Sequence, residues 1–292
     1  MKTISKVFSC ILAFSSLLGS VEGQNRYKIW YDKPASYWEE ALPIGNGRIA
    51  AMVFGDPQLE QIQLNEETVS AGSPYQNYNE EAKAALPEMR RLIFEGKYEE
   101  AQNMAATKIL SQVGNEMPYQ TVGRLNIRYQ DHKKVSNYYR DLDISNAMTV
   151  TRYKVDGVEF TEETFASFTD QLVIRHIKSS KPGAINCELF FNTPMRDPKR
   201  SIYGKKGLRL EGITHGSRYF PGKVHYCADL DVKNKGGEVT MANDTLLSVQ
   251  GASELTLYIS MATNFVNYKD ISGDPYQRNK TYLKNAEKEY DK

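Results

Sequence analysis

The residues best suited to acid–base chemistry are two adjacent glutamates beside an amide, Asn65-Glu66-Glu67, in the run Gln61 to Thr68. A pair of carboxyl groups can divide the work of general acid and general base. Neighbours on a strand point to opposite faces, however, so Glu66 and Glu67 cannot flank one substrate together. The local reading is a polar turn that caps the segment after it. Gly45-Asn46-Gly47-Arg48-Ile49-Ala50 matches the G-x-G-x-x-A spacing of a dinucleotide loop. That spacing cradles a pyrophosphate only after a strand and at the start of a helix. Here it leads into a β-branched, apolar run, Ile49 to Phe54, so the glycines read as a tight turn that uses positive φ.

Other chemistry is thin. His132, His176, His215 and His225 lack metal-ligand spacing, so no metal site is expected. There is no G-x-S-x-G nucleophile elbow. His176 lies in a strand-like run and reads as a packed or cross-strand residue. Asp229 and Asp231 alternate with Leu230 and Val232, share one face, and read as solvent-exposed. The 19 tyrosines invite a carbohydrate-stacking role, though most are expected in core and rim. Asn243-Asp244-Thr245 and Asn279-Lys280-Thr281 are glycosylation sequons, meaningful only in a eukaryotic secretory host.

The elements that must position these groups are mostly strands. Ile49–Phe54 and Gln61–Leu64 read as short strands around the turn Gly55-Asp56-Pro57. From Asn79 to Leu110 the apolar period shifts to three and four, predicting a helical hairpin broken at Gly96, with Asn79 as N-cap. After Gly123 the strand signals are Arg124–Tyr129, Ala147–Val155, Val158–Ala166, Leu172–Ser179, Ala184–Asn192, Gly207–Ile213, Val224–Val232, Glu238–Met241, Thr245–Val249 and Glu254–Thr263. Asp156-Gly157 marks a hairpin. Many short strands at regular spacing predict a mainly β fold, a large antiparallel sandwich with an inserted helical hairpin. Tyr276 to Lys292 turns polar and helical.

The N-terminus reads as a secretory signal. Lys2 and Lys6 precede the apolar run Val7–Leu18, and Val21-Glu22-Gly23 fits a cleavage site, so residues 1–23 would be removed. Val7-Phe8-Ser9-Cys10 loosely mimics a lipobox, but too little apolar run precedes its cysteine. Cleavage removes two lysines and one glutamate and takes the formal charge from +1 to zero. A neutral, mixed surface argues against nucleic acid or an anionic membrane as partner. The expected location is secreted or periplasmic, with no membrane association after cleavage. Of three cysteines, Cys187 and Cys227 would remain. They could pair in an oxidising compartment, but two buried free thiols are the favoured reading.

Trp38, the run Ala41–Arg48, Gln63–Thr68, Gly72-Ser73-Pro74, Arg90-Leu92-Ile93 with Gly96-Tyr98-Ala101, Tyr119-Gln120, Tyr139–Asp143 and Glu163–Gln171 together resemble the N-terminal domain of glycoside hydrolase family 95, the inverting α-L-fucosidases. One departure is Val69-Ser70-Ala71-Gly72, where that family often has Leu-Trp-Ser-Gly. It puts the substrate preference in doubt. The resemblance implies release of terminal α-1,2-linked L-fucose, or of α-L-galactose in some members, by inversion and without a cofactor. It implies that residues 24–270 are the sandwich domain. Residues 271–292 would begin a helical linker to a catalytic (α/α) barrel. None of the family's catalytic residues can then be assigned in this chain. Asn46, Arg48, Asn65 and Glu66 become the residues facing the barrel or a fucosylated or galactosyl glycan. The chain alone is expected to be inactive. Two competing readings are a stand-alone carbohydrate-binding module and a purely structural surface protein.

Overall fold

The computed structural model describes residues 27–111, 117–216 and 220–287. The signal segment therefore lies outside the described residues, as does the end of the C-terminal stretch.

The inner faces are set by alternation. Strand β3 (Ile49–Val53) buries Ile49, Ala51 and Val53, and β10 (Ile185–Asn192) buries Ile185, Cys187, Leu189 and Phe191. Period-2 burial of this kind puts one face of each strand in a shared core. Two antiparallel sheets result. The seven-stranded sheet runs β14 (Glu238–Asn243), β15 (Leu246–Ala252), β10, β5 (Gly123–Tyr129), β4 (Leu59–Glu66), β3, β2 (Leu42–Gly45). The nine-stranded sheet runs β1 (Lys28–Tyr31), β6 (Val135–Asp143), β7 (Met148–Val155), β8 (Val158–Ser167), β9 (Leu172–Ser179), β16 (Glu254–Thr263), β13 (His225–Lys235), β12 (Gly207–Ile213), β11 (Arg196–Tyr203). The mainly β sandwich is borne out.

Helices α1 (Ala82–Phe94) and α2 (Tyr98–Met104), followed by a π-helical turn at Ala105–Ile109, form the expected insert. Gly96, at φ 74°, makes the break. Asn79 is not the N-cap, which is Glu81: it lies two residues earlier and its side chain accepts from the Glu81 N–H at 3.0 Å, with the helix starting at Ala82. Helix α3 (Pro275–Glu287) lies on the outer face of the nine-stranded sheet, where Leu283 packs with Leu172, Ile174 and Tyr258. That cover explains why β16 is buried on both faces from Leu257 onward, against the alternation expected of a half-exposed strand.

Asp156 and Gly157, at φ 49° and 82°, turn β7 into β8. Cys187 and Cys227 are buried free thiols on strands of different sheets, and burial pushes both thiols up. Asp229 is a correction. It is fully buried, held by Arg209 at 2.6 and 2.8 Å, because the Arg209 side chain covers that outer face. Asn279 is also fully buried, its amide bonding to the Cys227 carbonyl at 3.0 Å, so its sequon is closed in the folded chain. Asn243 is exposed. Strands β1, β2, β6 and β11 are absent from the strand signals of the sequence: β1 and β2 are four residues each, β6 breaks its alternation at a register shift between Ser136 and Tyr139, and β11 is an exposed edge.

The core between the sheets holds an ionic cluster. Glu60 on β4, Glu162 on β8 and Arg175 on β9 are essentially unexposed. Arg175 pairs with Glu60 at 3.3 Å, more closely with Glu162, and donates to Thr164 at 2.8 Å. Tyr129 and Tyr153 donate to Glu162 at 2.6 and 2.7 Å. Glu60 accepts the Phe54 and Gly55 N–H groups, both at 3.1 Å. Two carboxylates face one guanidinium, so burial disfavours the second negative charge. It raises the Glu60 carboxyl above its ordinary range, and Arg175 offsets this only in part. Burial opposes the Arg175 charge as well, but Glu162 and Glu60 outweigh it.

Removing a partner from such a cluster strands uncompensated charge. Arg175→Met is expected to cost about 3–5 kcal/mol at neutral pH, read from urea midpoints, and less as pH falls and Glu60 takes up a proton. A loss that does not shrink at low pH would contradict this origin. Glu60 carries a raised folded-state pKa, so above the ordinary carboxylate range the folded state binds more protons than the unfolded one. Its stabilising contribution is complete below that range and is lost as pH climbs through the raised value. Glu60→Gln should flatten this decline in urea titrations across pH, and an unchanged slope would place its source elsewhere.

Candidate functional site: the edge around Glu66

Strand β4 reads Leu59-Glu60-Gln61-Ile62-Gln63-Leu64-Asn65-Glu66, and every second residue is buried, ending in Glu66. Glu66 and Glu67 therefore face opposite ways, as strand geometry requires. Glu66 is 4% exposed, while Glu67 stands in solvent. Glu66 accepts from the Thr68 N–H at 2.8 Å and hydroxyl at 2.6 Å, which makes the expected capping turn. It also pairs with Arg48 at 3.2 Å. Burial raises the Glu66 carboxyl, and the Thr68 bonds and Arg48 pull it back. Tyr119 donates to the Glu66 carbonyl at 3.1 Å and is itself pushed up to about 12 by burial.

The loop Asn46-Gly47-Arg48 joins β2 to β3, a strand-to-strand hairpin with Gly47 at φ 97°. No helix follows it, so the pyrophosphate geometry is absent from this loop. Asn46 closes the turn by accepting from the Arg48 and Ile49 N–H groups at 3.0 and 2.9 Å, and it donates to the Ser167 carbonyl at 2.8 Å. Arg48 reaches across the sandwich. It donates to the Gln171 side chain at 2.6 Å and the Met261 carbonyl at 2.9 Å, and lies 4.9 Å from the Tyr282 ring centre on α3. The side chains of Asn46 and Arg48 thus join the two sheets, with Arg48 held by Glu66 and also reaching α3. Asn65 points away from the core, half-buried.

Two hollows open along this edge. The smaller, about 350 Å³, is lined by Gly45, Gly47, Arg48, Asn65, Glu67 and Tyr119. The larger, about 680 Å³, lies on the other side of the turn and includes Glu67, Thr68, Ser70, Tyr75, Phe265 and Tyr268 in its wall. Glu67 belongs to both. The segment that departs from the family pattern, Val69 to Gly72, supplies Ser70 and Ala71 to the larger hollow. Its backbone is tied down by Ala71 N–H to the Pro118 carbonyl at 2.9 Å and Gly72 N–H to the His215 carbonyl at 3.1 Å. Gly72 sits at φ 82°, a conformation that favours glycine, and a Cβ there would also push the Met117 side chain aside.

The edge does not assemble an acid–base pair: Glu66 is internally spent and Glu67 faces elsewhere. Among the described residues no group of three or more His, Cys, Asp or Glu is placed to hold a metal ion. His176 bonds across strands to Thr256 at 3.0 Å, as its position suggested. The sequence reading passed over Glu67, Ser70, Phe265 and Tyr268 as a group. Their meeting depends on strands far apart in the chain, and only Glu67's parity on β4 hinted at its exposure.

A two-sheet antiparallel sandwich with a helical insert and a helix laid on its outer face is the frame of a glycoside hydrolase N-terminal domain. The family model "Glycosyl hydrolase family 65, N-terminal domain" matches residues 29–268, and the chain belongs to that family. "Alpha-L-fucosidase 2" of Arabidopsis thaliana is 31% identical over 261 residues, covering 82% of this chain and 30% of that protein. "Probable alpha-fucosidase A" of Aspergillus oryzae is 22% identical over 272 residues, covering 89% of this chain and 36% of its own length. The chain thus spans about a third of these curated relatives. Among solved structures, "Putative kojibiose phosphorylase from human microbiome" superposes with TM-score 0.50 at 10% identity, over 90% of this chain and 35% of that one, a likeness of fold. The glycoside hydrolase domain read from the sequence is borne out. The matching family model is that of family 65, and the curated relatives are named as fucosidases.

Arg48 joins Glu66, the Gln171 turn and Tyr282 through a single side chain. Arg48→Ala is expected to destabilise the fold by about 1–3 kcal/mol, because Glu66 is left buried without its cation. Hydrogen exchange should quicken in α3 and in the Asn46–Ile49 hairpin before it does so in β10. Unchanged exchange in α3 would show that Tyr282 does not depend on Arg48.

Proposed function

We propose that this chain is the N-terminal β-sandwich of a secreted exo-glycosidase that removes terminal α-1,2-linked L-fucose from glycans with inversion. The observation that carries the reading is the similarity to proteins named as fucosidases, extending over 82% of the chain. In this reading residues 24–270 form the sandwich. The stretch 271–292 begins a helical linker, and a catalytic barrel of the full-length protein supplies the acid and the base. The edge at Asn46, Arg48, Asn65 and Glu66 faces that barrel or its glycan. What supports this role is the internal bonding of the edge: Asn46, Arg48 and Glu66 make it rigid, which suits a surface that positions another domain rather than one that transfers protons. Terminal α-L-galactose is the competing substrate, because the Val69–Gly72 segment departs from the family pattern. The resemblance calls for no metal or organic cofactor. Nucleic acid and membrane are not among the proposed partners.

The test is turnover. Residues 24–292 alone should release no fucose from a fucosyl-α-1,2-galactose glycan. The full-length protein should release it, with the β-anomer of fucose appearing first by proton NMR. Release by the fragment would overturn the placement of the chemistry downstream, and α-anomer first would overturn inversion.

A further inference from the structure

The larger hollow beside Glu67 has a wall chemistry that the proposed reaction does not use. Its aromatic residues are Tyr75, Phe265 and Tyr268. Tyr75 is held by Phe220, with ring centres 4.3 Å apart, and Tyr268 carries the Lys269 ammonium 5.1 Å from its ring centre. Its polar residues include Glu67, Thr68 and Ser70. Thr68 is already spent on Glu66 and Thr263. Among the described residues, the Glu67 carboxylate and the Ser70 hydroxyl have no hydrogen-bond partner within the chain. Among the described residues the wall itself contains no Lys, Arg or His.

These features select the ligand. A purely apolar ligand would bury the Glu67 carboxylate without a partner, at a cost of order 1–3 kcal/mol or more. A neutral sugar suits both parts: its C–H face packs on amphipathic rings, and its hydroxyls donate to a carboxylate in charge-assisted bonds. A volume of about 680 Å³ admits one or two pyranose rings.

We propose that this hollow is a neutral-saccharide subsite of the N-terminal domain itself, in which Glu67 accepts sugar hydroxyls and Tyr268 and Phe265 stack on the ring. The choice of a neutral glycan rests on the glycosidase reading, but the site is read from its own wall. It lies outside the acid–base machinery, so it holds part of a glycan without cleaving it.

The test is calorimetric titration of the chain with L-fucose, D-galactose and fucosyl-α-1,2-galactose. Saturable binding is expected. Glu67→Gln should weaken it about tenfold, and Tyr268→Ala by a similar factor. Ser70→Trp, which fills the hollow, should abolish it. Trp30→Ala, at an exposed aromatic on β1 remote in the chain, should leave binding unchanged. Thermal melts of each variant separate loss of binding from loss of fold, and Glu67→Gln is the decisive variant because its side chain stands in solvent. No saturable binding, or binding equally strong in Glu67→Gln and Ser70→Trp, overturns the subsite. Binding lost in Trp30→Ala and retained in the others relocates it and also overturns the proposal. Turnover by the full-length protein is scored separately. Cleavage without binding in the hollow would sink the subsite and leave the glycosidase standing, while binding without cleavage would do the reverse.

Discussion

Arg175 is the constraint on which the sandwich depends. Its guanidinium lies between the sheets, bound to Glu162 on its own sheet and to Glu60 on the other. Apolar packing between two sheets tolerates sliding, because hydrophobic attraction has no direction. A buried guanidinium flanked by two carboxylates has direction, and any displacement leaves charge unpaired in a low-dielectric interior. Glu60 transmits this constraint to the backbone by accepting the Phe54 and Gly55 N–H groups. Tyr138 fixes the same turn from the other sheet by donating to the Gly55 carbonyl at 2.6 Å. Gly55, at φ 74°, leaves no room for a Cβ, which would meet the Tyr138 oxygen at 2.7 Å.

The turn anchored at Glu60 starts strand β4, and the same strand ends at Glu66. The two glutamates lie on one inward face, three alternations apart, so the register that seats the ionic cluster also delivers Glu66 to Arg48. Arg48 then ties the β2–β3 hairpin to the far sheet and to α3. The bonding of this edge is therefore a consequence of core electrostatics carried along one strand. What the edge leaves unspent is Glu67, one residue beyond Glu66 and thus on the opposite face. Rigidity and availability are divided between neighbours by the pleat itself.

Much of the sandwich was legible because alternation survives wherever one face of a strand meets the core. The hairpin at Asp156-Gly157 and the break at Gly96 were legible because only certain residues accept positive φ. The exposed reading of Asp229 failed because strand parity gives a face and not its neighbours: Arg209, 20 residues earlier, covers it. The ionic cluster was within reach. Glu60 shares parity with Ile62 and Leu64, Glu162 with Phe160, and Arg175 with Val173 and Ile177. Starting β4 at Gln61 hid the first of these. The hollows were not legible, since Phe265 and Tyr268 reach Glu67 only through the pairing of distant strands.

The central claim is that the Asn46–Arg48 and Asn65–Glu66 edge is the surface on which the rest of a glycosidase sits. Hydrogen exchange measured by mass spectrometry on residues 24–292 alone and within the full-length protein tests it most directly. The account predicts added protection in peptides covering these two segments when the rest of the protein is present, with little change at the exposed edge strand Arg196–Tyr203. Equal exchange at both segments in the two forms would contradict it.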